Sequence, residues 1–477
     1  MFERIVSVLN SIVWSPALVV LLVGAGLYFS LRTRFVQVRR FGLMIRSLFA
    51  RSEKAEDGSK HGISSFEAFC VALSGRVGTG NIVGVATAIA LGGPGAVFWM
   101  WIIAFFGAST AFMESTLAQQ YKFRHATGYR GGPASYIEKG LNARWLGVLF
   151  SVLCLVGYGT FLPTVQANGV AGALGNTFHL SPLVSGLGLA FLLGLVIIGG
   201  IKSIARVASI VTPFMALGYI VITLVVIAQH IDAVPGVLRA IVTNAFGIRP
   251  VAGGILGSTI MMGVKRGIFS NEAGQGGGAI VSASAAVSHP AKQGLAQAFS
   301  VYVDTLLVCT ATALMILCSG CYNVFDAATG QMIFAGSPAL GENYVGFTQA
   351  AVDTVLPGFG STFVSIALVF FVFTTVMAYY FYGETSIISF FEGRPDRRKA
   401  EKACIWVFRF LLLGMVVFGS LREAGVIWQL GDVGVGITAW INVIALLLLC
   451  PQAIRALKDY ELTVNRERKE TLRSQKD

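Results

Sequence analysis

The stretch Ser74-Gly75-Arg76-Val77-Gly78-Thr79-Gly80-Asn81 lies inside an apolar run that begins near residue 64 and is too rich in glycine to continue as a regular helix. A second stretch repeats the anomaly: Gly263-Val264-Lys265-Arg266-Gly267-Ile268-Phe269-Ser270-Asn271-Glu272-Ala273-Gly274-Gln275-Gly276-Gly277-Gly278. Each glycine weakens a helix by about 1 kcal/mol. Each charged side chain at membrane depth costs at least ~2.5 kcal/mol on insertion scales. Such segments persist in a bilayer only where protein or a water-filled cavity surrounds the exposed backbone. Both stretches therefore read as helices broken on purpose.

The rest of the chain supplies the bilayer. Its 477 residues are 55% hydrophobic and 13% charged, too little charge to cover the surface of a soluble protein. Apolar runs such as Ala17–Tyr28, Leu183–Gly199, Val207–Ala228 and Gly434–Cys450, with their flanks, approach the length that crosses a hydrocarbon core. Spans are expected near 12–30, 64–91, 94–121, 144–174, 182–199, 204–228, 251–286, 294–318, 360–389, 403–421 and 431–450, about eleven transmembrane helices in an all-α membrane protein. The segment 233–247 reads as a short amphipathic surface helix and 319–358 as a long loop.

The net charge of +12 fits this topology and argues against nucleic acid, because the basic residues sit in short loops without interleaved aromatics. The loops 31–63, 122–143, 200–206, 287–293 and 390–402 and the tail from 451, with Arg144, hold 28 of the 36 Lys and Arg residues. Arg4, Arg239, Arg249 and Arg422 lie on the opposite side. The bias predicts an external N-terminus and a cytoplasmic C-terminus. Arg32, Arg34, Arg39 and Arg40 after the first apolar stretch anchor it instead of marking a cleaved signal peptide.

Five spans run from 64 to 228 and five from 251 to 450, each set opened by a broken helix, and the side assignment gives the two breaks opposite directions. That is the pattern of inverted repeats with a binding site at the midplane. The expected organisation is an N-terminal helix and basic linker (1–63), a first repeat (64–228), an external connector (229–250), a second repeat (251–450) and a basic tail (451–477).

A broken helix presents free N–H groups at one half, suited to a carboxylate, and free carbonyls at the other, suited to a cation. Gly78–Asn81 and Ser270–Gly276 supply these ends. Gly80 and Gly84 also form a GxxxG that permits close helix packing, while a dinucleotide fingerprint would need a preceding strand. The Asn271 amide can donate and accept. Glu272 has Lys265 and Arg266 within two helical turns, and an internal ion pair is expected there. Thr374 and Thr375 either bond the preceding turn of their own helix or offer sodium hard oxygen ligands. Glu114, Asp304 and Glu384 are isolated acids that read as proton sites, cation ligands or network residues, with the structural reading preferred for Glu384.

Cys318 and Cys321 form a CxxC without the second pair a zinc site wants, so inert thiols or a local disulfide are expected. The five histidines, at 61, 125, 179, 230 and 289, avoid the span centres, which argues against haem or quinone electron transfer. With no nucleophile-and-base set and no P-loop, the chain does not read as an enzyme. A channel would need a continuous polar stripe, and a sensor a soluble signalling domain, and neither is present in the sequence.

The runs Gly-Arg-Val-Gly-Thr-Gly-Asn-Ile-Val-Gly-Val-Ala (75–86) and Lys-Arg-Gly-Ile-Phe-Ser-Asn-Glu-Ala-Gly (265–274) resemble signatures of the alanine or glycine:cation symporter family. So do Met-Glu-Ser-Thr-Leu-Ala-Gln (113–119), Gly-Gly-Pro (131–133) and Asp-Thr-Leu-Leu-Val-Cys-Thr-Ala-Thr-Ala-Leu (304–314). The resemblance implies a leucine-transporter-like fold of two inverted five-helix repeats plus one N-terminal helix, in the cell (inner) membrane, with sodium (Na+) driving uptake of a small neutral amino acid, alanine or glycine. Proton coupling through Glu114 or Asp304 is the rival. The resemblance places the substrate carboxylate at Gly78, Thr79, Gly80 and Asn81. It places the amino group near Phe269, Ser270, Asn271, Ala273 and Gly274, with Tyr379 against the pocket. Sodium would sit between the backbone of Arg76, Val77 and Thr79 and the hydroxyls of Thr374 and Thr375. Two departures fall near this pocket. Gly276-Gly277-Gly278-Ala279 stands where the family usually shows a small hydroxyl residue, Ala and Pro, and Tyr379 stands where a Trp is common.

Overall fold

The computed structural model describes residues 1–50, 62–247, 256–326 and 329–474. Among these, seven helices are each long and apolar enough to cross a membrane: Gly95–Gln120, Arg144–Phe178, Gly200–Gln229, Pro290–Ser319, Gly360–Phe390, Arg398–Ser420 and Ala424–Arg466. Two bent pairs are long and apolar enough when each is taken as one span, Glu3–Val13 with Pro16–Arg32 and Ser65–Arg76 with Gly80–Gly92. The helix Pro182–Ile197 is apolar but shorter. The second broken segment is described as Leu256–Asn271 and Gly277–Ala283, and the start expected for it at 251 lies outside the described residues.

The surface shows which solvent surrounds the bundle. On Gly200–Gln229, Ile210, Phe214, Leu217 and Val221 are exposed, while Thr212, Met215, Tyr219 and Thr223 are buried. The polar residues point inward and the apolar ones outward, the reverse of a soluble helix. Only lipid makes that arrangement favourable, because the outward residues lose nothing there and the inward hydroxyls find partners. Tyr219 donates to or accepts from Thr312 at 2.7 Å, and Thr223 bonds the Tyr219 carbonyl at 2.8 Å. The chain is a multi-pass membrane protein.

Several segments depart from the sequence reading. The stretch 319–358 carries an antiparallel hairpin, Asn323–Phe325 with Met332–Ala335, and a helix Tyr344–Asp353 capped by Asn343. The hairpin and helix are short, so neither gives a long periodic signal. The amphipathic helix expected at 233–247 forms as Val234–Ala245. Two helices, Phe41–Leu48 and Pro133–Gly140, occupy loops expected to be irregular. The last helix does not stop near 450 but runs from Ala424 to Ser474 through Pro451. Tertiary contacts hold this extension: Tyr460 stacks on His289 at 5.0 Å, and Arg40 reaches Glu461 at 2.9 Å. All seven cysteines are free, including Cys318 and Cys321.

Candidate functional site

Ser64 opens the first broken helix with a capping box, its hydroxyl accepting from Glu67 N–H while the Glu67 side chain accepts from Ser64 N–H. The helix runs to Arg76, the chain extends at Val77, and a wide turn at Gly80–Gly84 leads into Val85–Gly92, bent 51° from the first half. The second broken helix ends at Asn271. Glu272, Gly274 and Gly276 then take positive φ values of 55°, 84° and 95° before Gly277–Ala283 resumes. Glycine adopts this conformation freely, whereas for Glu272 it costs about 1–2 kcal/mol. A parallel bridge between Ile63 and Ala285 ties the start of the first broken helix to the end of the second.

The two breaks meet directly. A Cβ on Gly80 would lie 3.2 Å from both the Ser270 Cα and the Phe269 ring. Arg76 crosses the junction, donating from Nε to the Asn271 carbonyl at 2.6 Å and from Nη1 to Gln297 at 3.0 Å and to the Ser300 hydroxyl. Asp304 joins the breaks from a third helix. It accepts from Asn81 Nδ2 at 2.7 Å and from the Ser270 hydroxyl at 2.9 Å. The Thr305 hydroxyl donates to it at 2.7 Å.

Three of the amides expected to face a carboxylate have partners within the chain, and the Asn81 N–H donates to the Gly78 carbonyl at 3.2 Å. Gly78 N–H donates to Asn81 Oδ1 at 2.9 Å, and Thr79 N–H donates to Gln166 Oε1 at 2.9 Å. Thr79 Oγ1 donates to the same oxygen at 3.0 Å. Across the junction, Asn271 Oδ1 accepts from Ala273 N–H at 3.0 Å, and its Nδ2 is buried without a partner. The Gly274 carbonyl accepts from Asn442 at 2.9 Å. Phe269 packs under Trp428 with ring centroids 5.1 Å apart. Tyr379 lies in a buried group with Tyr158 and Tyr382, its ring 5.2 Å and 5.9 Å from theirs, and its hydroxyl is 3.5 Å from Gln166 Nε2.

Thr374 and Thr375 diverge. The Thr375 hydroxyl reaches across to the Ser74 carbonyl at 2.8 Å and the Val77 carbonyl at 3.1 Å, and also to Phe371 O at 2.8 Å. Three carbonyls thus converge on one hydroxyl beside the first break. Thr374 bonds the carbonyls of Phe370 and Phe371 in its own helix and reaches the Met215 sulfur on another helix at 3.9 Å. The structure therefore brings Val77 and Thr375 together and leaves Thr374 apart. Arg76 bonds Asn271 through its guanidinium, and Thr79 bonds Gln166 through its N–H and hydroxyl.

The expected ion pair of Glu272 with Lys265 and Arg266 does not form. Both cations turn to Asp432 on the last helix, Lys265 at 2.8 Å and Arg266 at 2.6 Å. The reason is geometric. Glu272 lies beyond the helix end, where its positive φ swings the carboxylate to the Tyr382 hydroxyl, 3.2 Å away. Arg266 also lies over the Phe269 and Trp428 rings, at 5.5 Å and 4.9 Å. At the other end of the bundle, Glu384 accepts from buried Arg130 at 3.2 Å and from Tyr380 at 2.9 Å, with Arg409 at 3.9 Å, so it is a network residue.

Sequence reasoning missed Gln166, Asp432 and the joining role of Asp304. Gln166, between Thr164 and Asn168, and Asp432, three positions after Gln429, are polar residues within spans, a weak signal that pointed to no partner.

A model of the sodium:alanine symporter family matches residues 1–474. The chain belongs to that family. YrbD of Bacillus subtilis, provisionally named a sodium/proton-dependent alanine carrier, is 51% identical over 96% of this chain and 92% of its own length. A second Bacillus subtilis relative, named "Probable sodium/glutamine symporter GlnT", is 44% identical over 96% of this chain and 90% of its own length. Among solved structures, MhsT in complex with L-phenylalanine superposes with a TM-score of 0.56 at 14% identity, covering 83% of this chain and 98% of its own. This member of the sodium:alanine symporter family has the leucine-transporter-like fold. It is a transporter, not an enzyme.

Proposed function

We propose that this protein imports a small neutral amino acid, alanine or glycine, together with sodium by alternating access. The observation that carries the reading is the meeting of the two breaks, where backbone ends and neutral donors converge with the Thr375 hydroxyl and three carbonyls beside them. A set of neutral hard oxygens suits sodium. The substrate carboxylate takes the Thr79 amide from Gln166 and lies along Gly78, Thr79, Gly80 and Asn81, where a helix N-terminus stabilises an anion by ~0.3–1 kcal/mol when exposed and up to ~2 when partly buried. The amino group turns to the carbonyl side of Phe269, Ser270, Asn271, Ala273 and Gly274, with Tyr379 limiting the side chain. Sodium sits against the Ser74 and Val77 carbonyls and Thr375.

The named relatives support the transport of an amino acid with sodium and differ in which one, alanine or glutamine. Residues 64–228 and 251–450 are the two inverted units. The N-terminus lies outside and the C-terminus in the cytoplasm of the cell (inner) membrane. The Arg266–Asp432 contact then closes the outer side and the Arg130–Glu384 contact the inner side.

Uptake of labelled alanine into proteoliposomes tests this reading. An inward sodium gradient drives accumulation, and excess glycine or alanine blocks it. Ethylamine, which lacks the carboxylate, does not compete. Equal competition by ethylamine would mean that the carboxylate is not read and the site assignment is wrong.

A further inference from the structure

A cavity of about 380 Å³ lies beside the Arg130–Glu384 contact, at the cytoplasmic end of the bundle in the orientation proposed above. Its walls come from four parts of the chain. Thr127 and Arg130 belong to the hairpin of Phe123–His125 and Gly128–Arg130, and Lys202 to the start of Gly200–Gln229. Glu384 comes from Gly360–Phe390 and Arg409 from Arg398–Ser420.

The cations here hold more donors than the chain provides acceptors. Arg130 is 1% exposed; its Nη groups go to the Tyr129 carbonyl, the Thr127 hydroxyl and Glu384, and its Nε is buried with no partner. Arg409 donates from Nε to the Tyr380 hydroxyl at 2.8 Å, while its Nη2 stands 3.9 Å from Glu384, beyond hydrogen-bond reach. Lys202 is exposed and has no ion pair among the described residues. Three cations against one acid leave two positive charges in excess, and the next charges outward, Glu401 and Arg398 around His125, cancel. The helix Gly200–Gln229 also starts at this wall, after Gly199, with no side chain to cap it. The N–H groups of an uncapped first turn carry partial positive charge and suit an oxyanion.

The rim of the cavity is apolar on one side. Ile198 stands there and continues a stripe along Pro182–Ile197. Leu187, Phe191, Leu195 and Ile198 are each more than half exposed, at spacings of four, four and three that share one helix face. The stripe leads from the bilayer to the cationic wall.

We infer that this cavity binds the phosphate headgroup of an anionic phospholipid, with an acyl chain along the stripe from Leu187 to Ile198. The phosphate oxygens accept from Arg409, Lys202 and the first turn of Gly200–Gln229, and their charge offsets the surplus around Arg130. Guanidinium groups and helix N-termini are the groups that hold phosphate in proteins. Free phosphate shares that chemistry but has no use for the apolar rim. The walls belong to both proposed repeats, so the headgroup fits only while the inner side is closed and holds it so. That consequence rests on the transport reading above; the binding does not.

Thermal unfolding of the purified full-length protein in detergent, titrated with phosphatidylglycerol, tests the site. Phosphatidylglycerol raises the unfolding midpoint. Phosphatidylcholine, whose phosphodiester carries a compensating cation, raises it less, and inorganic phosphate at the same concentrations leaves it in place. Lys202→Gln raises the half-saturating phosphatidylglycerol concentration about fivefold, the share of one basic side chain at an anionic membrane surface. Lys458→Gln, which removes an exposed cation on the last helix, leaves the titration as in the wild type. No shift with phosphatidylglycerol, equal shifts with both lipids, or equal responses of Lys202→Gln and Lys458→Gln overturn the site. Inorganic phosphate as effective as phosphatidylglycerol overturns the lipid assignment and leaves a site for a soluble anion. Absence of sodium-driven uptake in proteoliposomes overturns the symport reading alone.

Discussion

Thr375→Ala raises the sodium concentration that half-saturates uptake by roughly tenfold, equivalent to about 1.4 kcal/mol. The hydroxyl is buried and contacts carbonyls from two helices, Ser74 and Val77 on one and Phe371 on its own. On the proposed reading its removal deletes one oxygen ligand of sodium, and it leaves carbonyls with fewer partners, each effect worth on the order of 1–3 kcal/mol in a buried site. The competition order among glycine, alanine and serine stays as in the wild type, because the hydroxyl faces the first break and not the substrate side chain. Thr374→Ala is the matched control. Its hydroxyl bonds Phe370 and Phe371 in its own helix, so its sodium activation curve stays near that of the wild type. An unchanged curve for Thr375→Ala would return that residue to a packing role.

Asp432→Ala abolishes most uptake and lowers the thermal unfolding midpoint of the purified protein. Asp432 is the acceptor for both Lys265 and Arg266, and Arg266 is only 3% exposed. Removing one member of a buried ion pair costs about 3–5 kcal/mol, because the remaining charge keeps its desolvation penalty without its partner. The cost falls beside the junction, where Arg266 lies over Phe269 and Trp428. Asp432→Asn retains the shape and part of the hydrogen bonding, and it falls between alanine and wild type. Wild-type uptake and stability in Asp432→Ala would show that the contact closes nothing.

Much of the architecture was written in local composition. Long apolar runs declare membrane helices whatever their partners, because hydrocarbon accepts only backbone that bonds itself. Glycine runs with embedded charges declare the breaks, since no lipid-facing helix tolerates them. The short helices Phe41–Leu48, Pro133–Gly140 and Tyr344–Asp353 were not legible. Helices this short are marginal alone and exist because they dock on the bundle.

The site was legible to a different depth. That Gly78–Asn81 and Phe269–Gly274 belong together follows from two broken helices in one chain, which need each other to shelter their exposed backbone. Which side chains complete the junction did not follow. Gln166 reaches Thr79 across 87 positions of sequence, and Asp304 reaches Asn81 across 223. Glu272 lies seven positions from Lys265 in the sequence, yet Lys265 pairs with Asp432, on the last helix. Neighbours along a chain become partners only while the helix between them continues, and this one ends at Asn271. The sequence by itself determined that the chain spans a membrane, where its helices break and which ends carry backbone charge, because these depend on residues within a few turns of one another. Only the tertiary structure decided that Thr375 and not Thr374 faces the break, that Asp432 and not Glu272 takes the two cations, and that Asp304 joins the two halves, because each depends on the rotation of one packed helix against another.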